Sequence, residues 1–165
     1  MKVFLGTDHA GFELKEKIKD FLKKKNVDVE DCGAFEFNKD DDYPDFISKA
    51  AINVSKDPKS RGIVFGGSGE AEMITANKIK GIRCGLYYGP ASPIAAIDVV
   101  GSISSDPHEI IKLTRVHNDA NMLSLGARFV SEEDAKKAVA LWLSTDFSGD
   151  ERHVRRLRKM EELES

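Results

Sequence analysis

The chain has few of the features that mark secreted, membrane-spanning or metal-binding proteins. Only two of its 165 residues are cysteines, Cys32 and Cys84, and neither has the spacing of a metal site. We therefore expect both to be buried, reduced thiols. No apolar run approaches the 18 residues of a membrane span, and the run at residues 3–5 is too short for the core of a signal peptide. These features favour a cytoplasmic protein without a membrane partner.

The chain also lacks a large excess of charge of either sign. Its formal net charge is −3, and the charge is uneven only at acidic residues 40–42 and in an arginine-rich stretch after Gly149. Proteins that bind nucleic acid are more often basic, so this balance argues against that class. A chain of 165 residues with 41% hydrophobic content and no internal repeat is predicted to form one domain, residues 1–165.

Segments with the pattern of strands alternate with segments that have the spacing of amphipathic helices. This alternation predicts an α/β domain with a parallel sheet of about five strands and helices on both faces. In the second helix we expect a buried stripe formed by Phe46, Ala50, Ala51 and Val54. The strands are predicted at 2–7, 27–32, 63–65, 82–88 and 122–125, and the main helices at 12–25, 43–56, 71–78, 132–143 and 151–164.

One segment, residues 89–116, has a less regular pattern. Residues 92–100 and 107–116 each fit a helix, and the polar residues 101–106 would connect them. A connection of this length between a strand and the next motif is typical of insertions and lids. We therefore predict an insertion within residues 85–116.

A glycine-rich turn follows the apolar strand at residues 63–65. Residues 66–69 have the sequence Gly-Gly-Ser-Gly, and a helix is predicted directly after them. Backbone N–H groups in such a turn, together with the helix dipole, predict an anion-binding site. Glu70 and Glu72 lie at the start of the helix. Either the helix dipole alone accounts for these two acids, or they belong to the site, and their spacing leaves both interpretations open. The dinucleotide and P-loop motifs do not fit this turn.

Asp8 and His9 follow the first predicted strand. Ligands bind at the carboxyl ends of strands in open parallel sheets, so we expect both residues beside the glycine turn. A single loop histidine is more often a surface or packing residue, so the prediction depends on this placement.

The last predicted helix has a basic face. Arg152, Arg156 and Lys159 project together on a 3.6-residue period. Such a run usually forms a solvated face with ion pairs inside the helix. Two arginines at positions i and i+4 equally suit a phosphate, because guanidinium groups bind phosphate with two hydrogen bonds.

Several short motifs occur along the chain. They are Thr7-Asp8-His9-Ala10-Gly11-Phe12, Asp42-Tyr43-Pro44, Gly66-Gly67-Ser68-Gly69, Ala76-Asn77-Lys78, Gly81-Ile82-Arg83, His117-Asn118-Asp119-Ala120-Asn121 and Arg152-His153-x-x-Arg156. In their order and approximate spacing, these motifs together resemble the type B ribose-5-phosphate isomerase family. The resemblance extends from residue 1 to about residue 160, and the family includes galactose-6-phosphate and allose-6-phosphate isomerases.

The resemblance implies a Rossmann-like three-layer α/β/α sandwich whose C-terminal helix is used in dimerisation. Active sites would lie between the subunits of a homodimer or a dimer of dimers, with no metal and no organic cofactor. The implied reaction interconverts ribose 5-phosphate and ribulose 5-phosphate by ring opening and proton transfer between C2 and C1 through a cis-enediolate.

The resemblance also implies roles for individual residues. His117 corresponds to the residue that assists ring opening, and Asn118 to a substrate-binding position next to the enediolate. Arg128, Arg152 and Arg156 correspond to phosphate contacts. The implied sugar-binding residues are Asp8, His9, Asp42, Tyr43, Gly66, Gly67 and Gly69, with Ser68 as a proton or hydrogen-bond donor.

The family's catalytic base differs among its members. Many carry a cysteine at the position of Gly66, whereas a second subgroup has glycine there and a glutamate six residues later, which Glu72 matches. A glutamate is already ionised at neutral pH, whereas a thiol must first be activated. Partial burial would raise the pKa of Glu72 towards the range of a useful base. Ala71 replaces a glycine that many members have in this turn.

Three alternatives remain open from the sequence. The substrate is either a five-carbon sugar phosphate or a six-carbon one such as allose or galactose 6-phosphate. The chain is alternatively a non-catalytic homologue that binds sugar phosphates, because the cysteine is missing and residues 85–116 are long. A flavodoxin-like nucleotide-binding module is a third interpretation.

Overall fold

The fold, taken from a computed structural model, is described for residues 1–164. Within these residues, five strands alternate with the first five of six helices, and the sixth helix directly follows the fifth. Short 3-10 turns lie at His9–Gly11, after the first strand, and at Glu162–Glu164. The elements are β1 (Lys2–Thr7), α1 (Phe12–Lys24), β2 (Asp28–Asp31), α2 (Pro44–Lys56), β3 (Arg61–Gly66), α3 (Glu70–Ala76), β4 (Cys84–Tyr87), α4 (Glu109–Val116), β5 (Met122–Gly126), α5 (Glu132–Ser144) and α6 (Glu151–Glu161).

The five strands form one parallel sheet in the order β2-β1-β3-β5-β4. The central strands are buried on both faces, which is why their apolar residues form nearly continuous runs. After β2 the chain returns to the other side of β1 to form β3. The carboxyl ends of β1 and β3 therefore flank the point where the strand order reverses, which is where open α/β sheets bind ligands.

Helices cover both faces of the sheet, as predicted. On one face, Ile18 of α1, Ile111 of α4 and Trp142 of α5 belong to one buried apolar cluster. On the other face, Ala51 of α2 and Ala76 of α3 belong to a second cluster. Both cysteines are buried and free, as expected. Among residues 1–164, no helix combines the length and the apolar character needed to cross a membrane.

The predicted stripe of α2 is wrong at one position. The buried residues are Ile47, Ala50, Ala51 and Val54, whereas Phe46 is only half-buried. Positions i, i+3, i+4 and i+7 starting from Ile47 share one helical face. Phe46 lies at the edge of that face, where its ring approaches Gly33.

The helix predicted at residues 92–100 is also wrong, because residues 88–108 contain neither helix nor strand. Ile94, Val99 and Val100 are exposed in this segment. A helix of this length needs an apolar face packed on a core, and these side chains have none. The second helix predicted here exists as α4, although it begins at residue 109.

Candidate active site

The glycine turn between β3 and α3 is held against the end of β5. The carbonyl oxygens of Gly66 and Gly67 accept hydrogen bonds from the backbone N–H groups of Ala127 (2.8 Å) and Arg128 (3.1 Å). Gly69 has a φ of +80°, and a Cβ there would lie 2.8 Å from Leu86 Cδ1. The turn therefore needs glycine at this position, and its conformation is fixed by the neighbouring strand.

Ser68 is half-buried at the top of the same turn. Its Oγ accepts a hydrogen bond from the N–H of Glu70 at 3.3 Å. The hydroxyl thus lies over the first residue of α3, beside the backbone of the turn.

Glu72 points into the protein, and its side chain is the central group of the site. The residue is only 4% exposed, and a Cβ on Gly66 would overlap its carboxyl group. Glycine at position 66 therefore provides the space that the carboxyl group fills. Burial raises the pKa of Glu72, its own backbone N–H opposes this shift, and the negative charge of Asp8 adds a smaller increase. Glu70, in contrast, is exposed and accepts a hydrogen bond from the Tyr88 hydroxyl at 2.5 Å.

The overlap at Gly66 predicts the effect of adding one methyl group. Gly66→Ala should lower the free energy of unfolding by about 1–3 kcal/mol, because the methyl group and the Glu72 carboxyl compete for one space. Urea denaturation measures this change. The double variant Gly66→Ala, Glu72→Ala removes the competing group and should recover most of the loss. Equal losses in the single and double variants would contradict the proposed overlap.

Asp8 and His9 lie where the sequence predicts, at the carboxyl end of β1. Asp8 is buried, and its Oδ1 accepts a hydrogen bond from the N–H of Ala10 at 2.9 Å. Arg128 approaches from the end of β5, since a Cβ on Gly67 would lie 3.1 Å from its Cζ. Its positive charge is the smallest of the influences on the His9 imidazole and opposes protonation of that ring, although the pKa of His9 is raised overall.

Asp41 is a residue of this site that the sequence analysis missed. Its Oδ1 lies 2.7 Å from His9 Nδ1 and accepts a hydrogen bond from the His9 backbone N–H at 3.0 Å. The hydrogen bond to Asp41 is the largest influence on His9, and it raises the pKa of the imidazole although burial opposes this. In the sequence, Asp41 is the middle member of an acidic run, and no spacing rule distinguishes it from its neighbours.

Asp8, His9 and Asp41 offer nitrogen and oxygen atoms within 4.8 Å of one another, a spacing that a metal ion could use. The 2.7 Å between Nδ1 and Oδ1 is the length of a charge-assisted hydrogen bond. Two ligands of a tetrahedral metal at ordinary bond lengths lie about 3.4 Å apart. A shared proton fits this pair better than a metal ion does.

Asp42 and Tyr43 follow Asp41 at the start of α2. Asp42 is exposed, and Tyr43 is half-buried against the apolar cluster beneath α2. Both therefore adjoin the loop that contacts His9, and neither side chain forms a hydrogen bond or an ion pair with Glu72 or with the glycine turn.

A second group of predicted residues lies around another cavity. His117, at the end of α4, stacks on the ring of His153, with centroids 4.4 Å apart. These two rings line a cavity of about 240 Å³ together with Arg152, Arg156 and residues 96–99. The sequence analysis gave His153 no role of its own. Burial lowers the pKa of His153, and the nearby His117 adds to this effect.

The polar cluster that begins at His117 is largely structural. Arg83 donates hydrogen bonds to the carbonyl of Asn118 (3.0 Å) and to the carboxylate of Asp119 (3.0 Å). Asn121 Oδ1 accepts a hydrogen bond from the Arg83 N–H at 2.8 Å. The Asn118 side chain is exposed, and its Nδ2 donates to the Leu113 carbonyl at 3.4 Å. These bonds fix the loop that carries His117.

Most of the predicted site residues thus form two groups within one chain, and Asp42, Tyr43 and Asn118 belong to neither. The first, which we call the turn group, contains Asp8, His9, Glu72, Arg128 and residues 66–69. The second, which we call the arginine group, consists of His117, Arg152 and Arg156, with His153 beside them. No residue of the turn group lines the cavity of the arginine group.

Comparison with known proteins gives consistent results over the whole chain. A sequence model described as Ribose/Galactose Isomerase matches residues 3–98 and 98–160. Ribose-5-phosphate isomerase B of Mycolicibacterium paratuberculosis is 39% identical over 164 residues, which cover 99% of this chain and 92% of that protein.

Solved structures agree with this result. Ribose-5-phosphate isomerase B of Clostridium thermocellum has a TM-score of 0.84 and 38% identity, covering 99% of this chain and 97% of the other. The enzyme of Mycoplasma genitalium with bound ribulose-5-phosphate has a TM-score of 0.85 and 33% identity, with 99% and 95% covered. This chain belongs to the ribose/galactose isomerase family.

Proposed function

We propose that this chain interconverts ribose 5-phosphate and ribulose 5-phosphate. The observation that carries the proposal is the buried carboxyl group of Glu72, which lies against Gly66 beside the glycine turn. The names of the related proteins and the ribulose-5-phosphate bound in one of them support the choice of substrate.

Glu72 acts as the base in this proposal. It removes the proton from C2 of the open-chain sugar, the C2–H electron pair forms the C1–C2 double bond of a cis-enediolate, and the C1=O π electrons move to O1. The same carboxyl group returns the proton to C1 while the proton of the O2 hydroxyl moves to O1, so the carbonyl forms at C2 and no oxidant or reductant is consumed. Its raised pKa makes it a stronger base than an exposed glutamate.

The glycine turn stabilises the enediolate. The N–H groups of Gly67, Ser68 and Gly69 are the donors for its oxygen atoms, and the Ser68 hydroxyl adds another. One donor of this kind contributes about 3 kcal/mol to lowering the barrier in comparable sites. A proton transfer between neighbouring carbons needs no electron acceptor, so the proposed reaction requires neither a metal ion nor an organic cofactor.

The complete site contains the turn group of one subunit and the arginine group of another. In this arrangement His117 assists ring opening, and Arg152 and Arg156 join Arg128 at the phosphate, while Asp42, Tyr43 and Asn118 contact the sugar. Two observations support it: the groups line separate surfaces within one chain, and Arg156 on α6 is exposed. A homodimer, or a dimer of such dimers, in the cytoplasm is the proposed functional form, with α6 at its interface.

The reaction is tested by following the C2 hydrogen of ribose 5-phosphate by NMR in heavy water. An isomerase exchanges this hydrogen with solvent and produces ribulose 5-phosphate. A protein that binds the sugar phosphate without exchange would be a non-catalytic homologue, and the proposed reaction would then be wrong.

Residues 85–116 contain an insertion that limits the size of the sugar in this proposal. Residues 96–99 form one wall of the cavity that contains His117, Arg152 and Arg156. The ends of the irregular segment are close, since the N–H of Ala91 donates to the carbonyl of Pro107 at 2.7 Å. Residues 92–106 are therefore replaceable by a two-glycine linker.

This deletion should widen the cavity and admit a six-carbon sugar. We expect the ratio of kcat/KM for allose 6-phosphate to that for ribose 5-phosphate to rise about tenfold, the order of discrimination for one extra carbon in a pocket. An activity panel that includes galactose 6-phosphate measures the ratio. The full-length control Ile94→Ser, Val100→Ser should keep the original ratio. An unchanged ratio in the deletion would assign specificity to another part of the site.

A further inference from the structure

We propose that Asp41 is a positioning residue that holds His9 in its doubly protonated form, so that His9 and Arg128 together present two positive charges to an anionic group of the substrate. The part that concerns the substrate rests on the proposed function. The part that concerns the two side chains is independent of it.

Asp41 binds both the backbone and the ring of His9. Its Oδ1 accepts the backbone N–H at 3.0 Å and lies 2.7 Å from Nδ1. One carboxylate oxygen therefore fixes the position of the residue and the rotation of its imidazole. With Nδ1–H donated to Asp41, Nε2–H is available as a second donor.

The buried carboxylate of Asp41 needs a positive charge beside it to be stable. Its side chain is 8% exposed, and its Oδ2 is buried without a hydrogen-bond partner among residues 1–164. A buried carboxylate with an unpartnered oxygen is unfavourable unless a positive charge lies beside it. His9 is in direct contact and provides this charge when it is protonated.

The charges around His9 favour the protonated ring. Asp41 lies at 2.7 Å and Asp8 Oδ2 at 3.8 Å from Nδ1, so two carboxylates face one imidazole. The positive charge of Arg128 and partial burial oppose protonation, and the ring edge of Phe37 lies nearby. The combined result is a pKa of His9 above its ordinary value of 6.5. As the pH rises through this pKa, His9 loses its charge, and Asp41 loses its cationic partner.

The matched variants are Asp41→Asn and Asp40→Asn. Asparagine at position 41 keeps a carbonyl oxygen to accept both hydrogen bonds but removes the negative charge. Asp40 lies one residue away and is exposed, so its substitution changes the net charge by the same amount without touching His9.

An NMR titration of the histidine ring signals gives the direct test. In the wild-type protein the His9 midpoint should lie above 6.5. It should fall by about one pH unit in Asp41→Asn and stay unchanged in Asp40→Asn. If Asp41→Asn does not fold, the wild-type titration still tests the proposal, because a His9 midpoint at or below 6.5 would contradict it.

The kinetic test separates positioning from general structural support. In Asp41→Asn we expect KM for ribose 5-phosphate to rise about tenfold at neutral pH with kcat largely retained. As the pH rises, KM should begin to increase at a lower pH in Asp41→Asn than in the wild type. A loss of thermal stability with an unchanged pH profile would make Asp41 a structural residue only. Activity that is lost in EDTA and restored by Zn²⁺ would instead assign Asp8, His9 and Asp41 to a metal ion.

Failure of the proposed function is distinguishable from failure of this inference. If the wild-type protein does not isomerise ribose 5-phosphate, the His9 midpoint and the pH dependence of binding to inorganic phosphate still test the role of Asp41. As the pH rises, phosphate binding should begin to weaken at a lower pH in Asp41→Asn than in the wild type, which would support the role of Asp41. Identical pH profiles in the two proteins would overturn it.

Discussion

Glu72→Gln should reduce the turnover of ribose 5-phosphate by about 10³-fold, within the range for loss of a general base, while sugar-phosphate binding is retained. The amide has nearly the same shape as the carboxyl group and fills the same space beside Gly66, but it does not accept a proton from C2. Steady-state kinetics give kcat, and calorimetric titration with ribulose 5-phosphate gives the dissociation constant.

The same variant should be more stable than the wild type at neutral pH. Burial raises the pKa of Glu72 on folding, so the native state binds more protons than the unfolded state as the pH increases above 4.5. The free energy of unfolding contributed by this group therefore falls as the pH rises through that window. Removing the charge should remove this pH dependence, and urea denaturation across pH measures it. A loss of activity with a gain of stability is typical of catalytic groups.

Glu70→Gln is the control for this variant. Glu70 is two residues away on the same helix, but it is exposed and its carboxylate bonds to Tyr88. Its substitution should leave kcat within about twofold of the wild type, as expected for a surface change. Full activity in Glu72→Gln, or equal losses in both variants, would remove Glu72 from its role as the base.

The features predicted correctly from the sequence depend mainly on local patterns. The buried strand at residues 63–65 and the glycine turn after it are set by neighbouring residues, so their positions could be predicted. The orientation of Glu72 could not, because the helix dipole alone would explain a glutamate in the first turn. Glu72 points inward because Gly66 has no Cβ to occupy the space of the carboxyl group. This absence matters only once β3 and α3 are packed together.

The errors have a related cause. Residues 92–100 have helical spacing, but α1, α4 and α5 already cover one face of the sheet, and α2 and α3 cover the other. The apolar side chains of Ile94, Val99 and Val100 remain exposed, so a helix there would lack a buried face. Asp41 was missed because its partner, His9, is 32 residues away in the sequence. Its contact arises from the packing of a loop, which no local pattern encodes.

Two inactive variants of this chain should restore each other's activity when they are combined in one dimer. Glu72→Gln damages the turn group, and the double variant Arg152→Ala, Arg156→Ala damages the arginine group. If each site takes one group from each subunit, a mixed dimer places both defects in one site and leaves the other site intact. The mixed dimer should then have about half of the wild-type activity, because one of its two sites is complete.

Co-expression with two different affinity tags and purification on both isolates the mixed dimers. The control combines Glu72→Gln with Arg128→Ala, two changes within the same group, so that each site of the mixed dimer keeps one defect and activity stays low. Activity in the first pair alone would support a site shared between subunits, because only that arrangement separates the two groups of residues. If neither pair recovers activity although mixed dimers form, the arginine group must serve the glycine turn of its own chain. Segment 85–116, which borders His117, would then have to move to bring the two groups together.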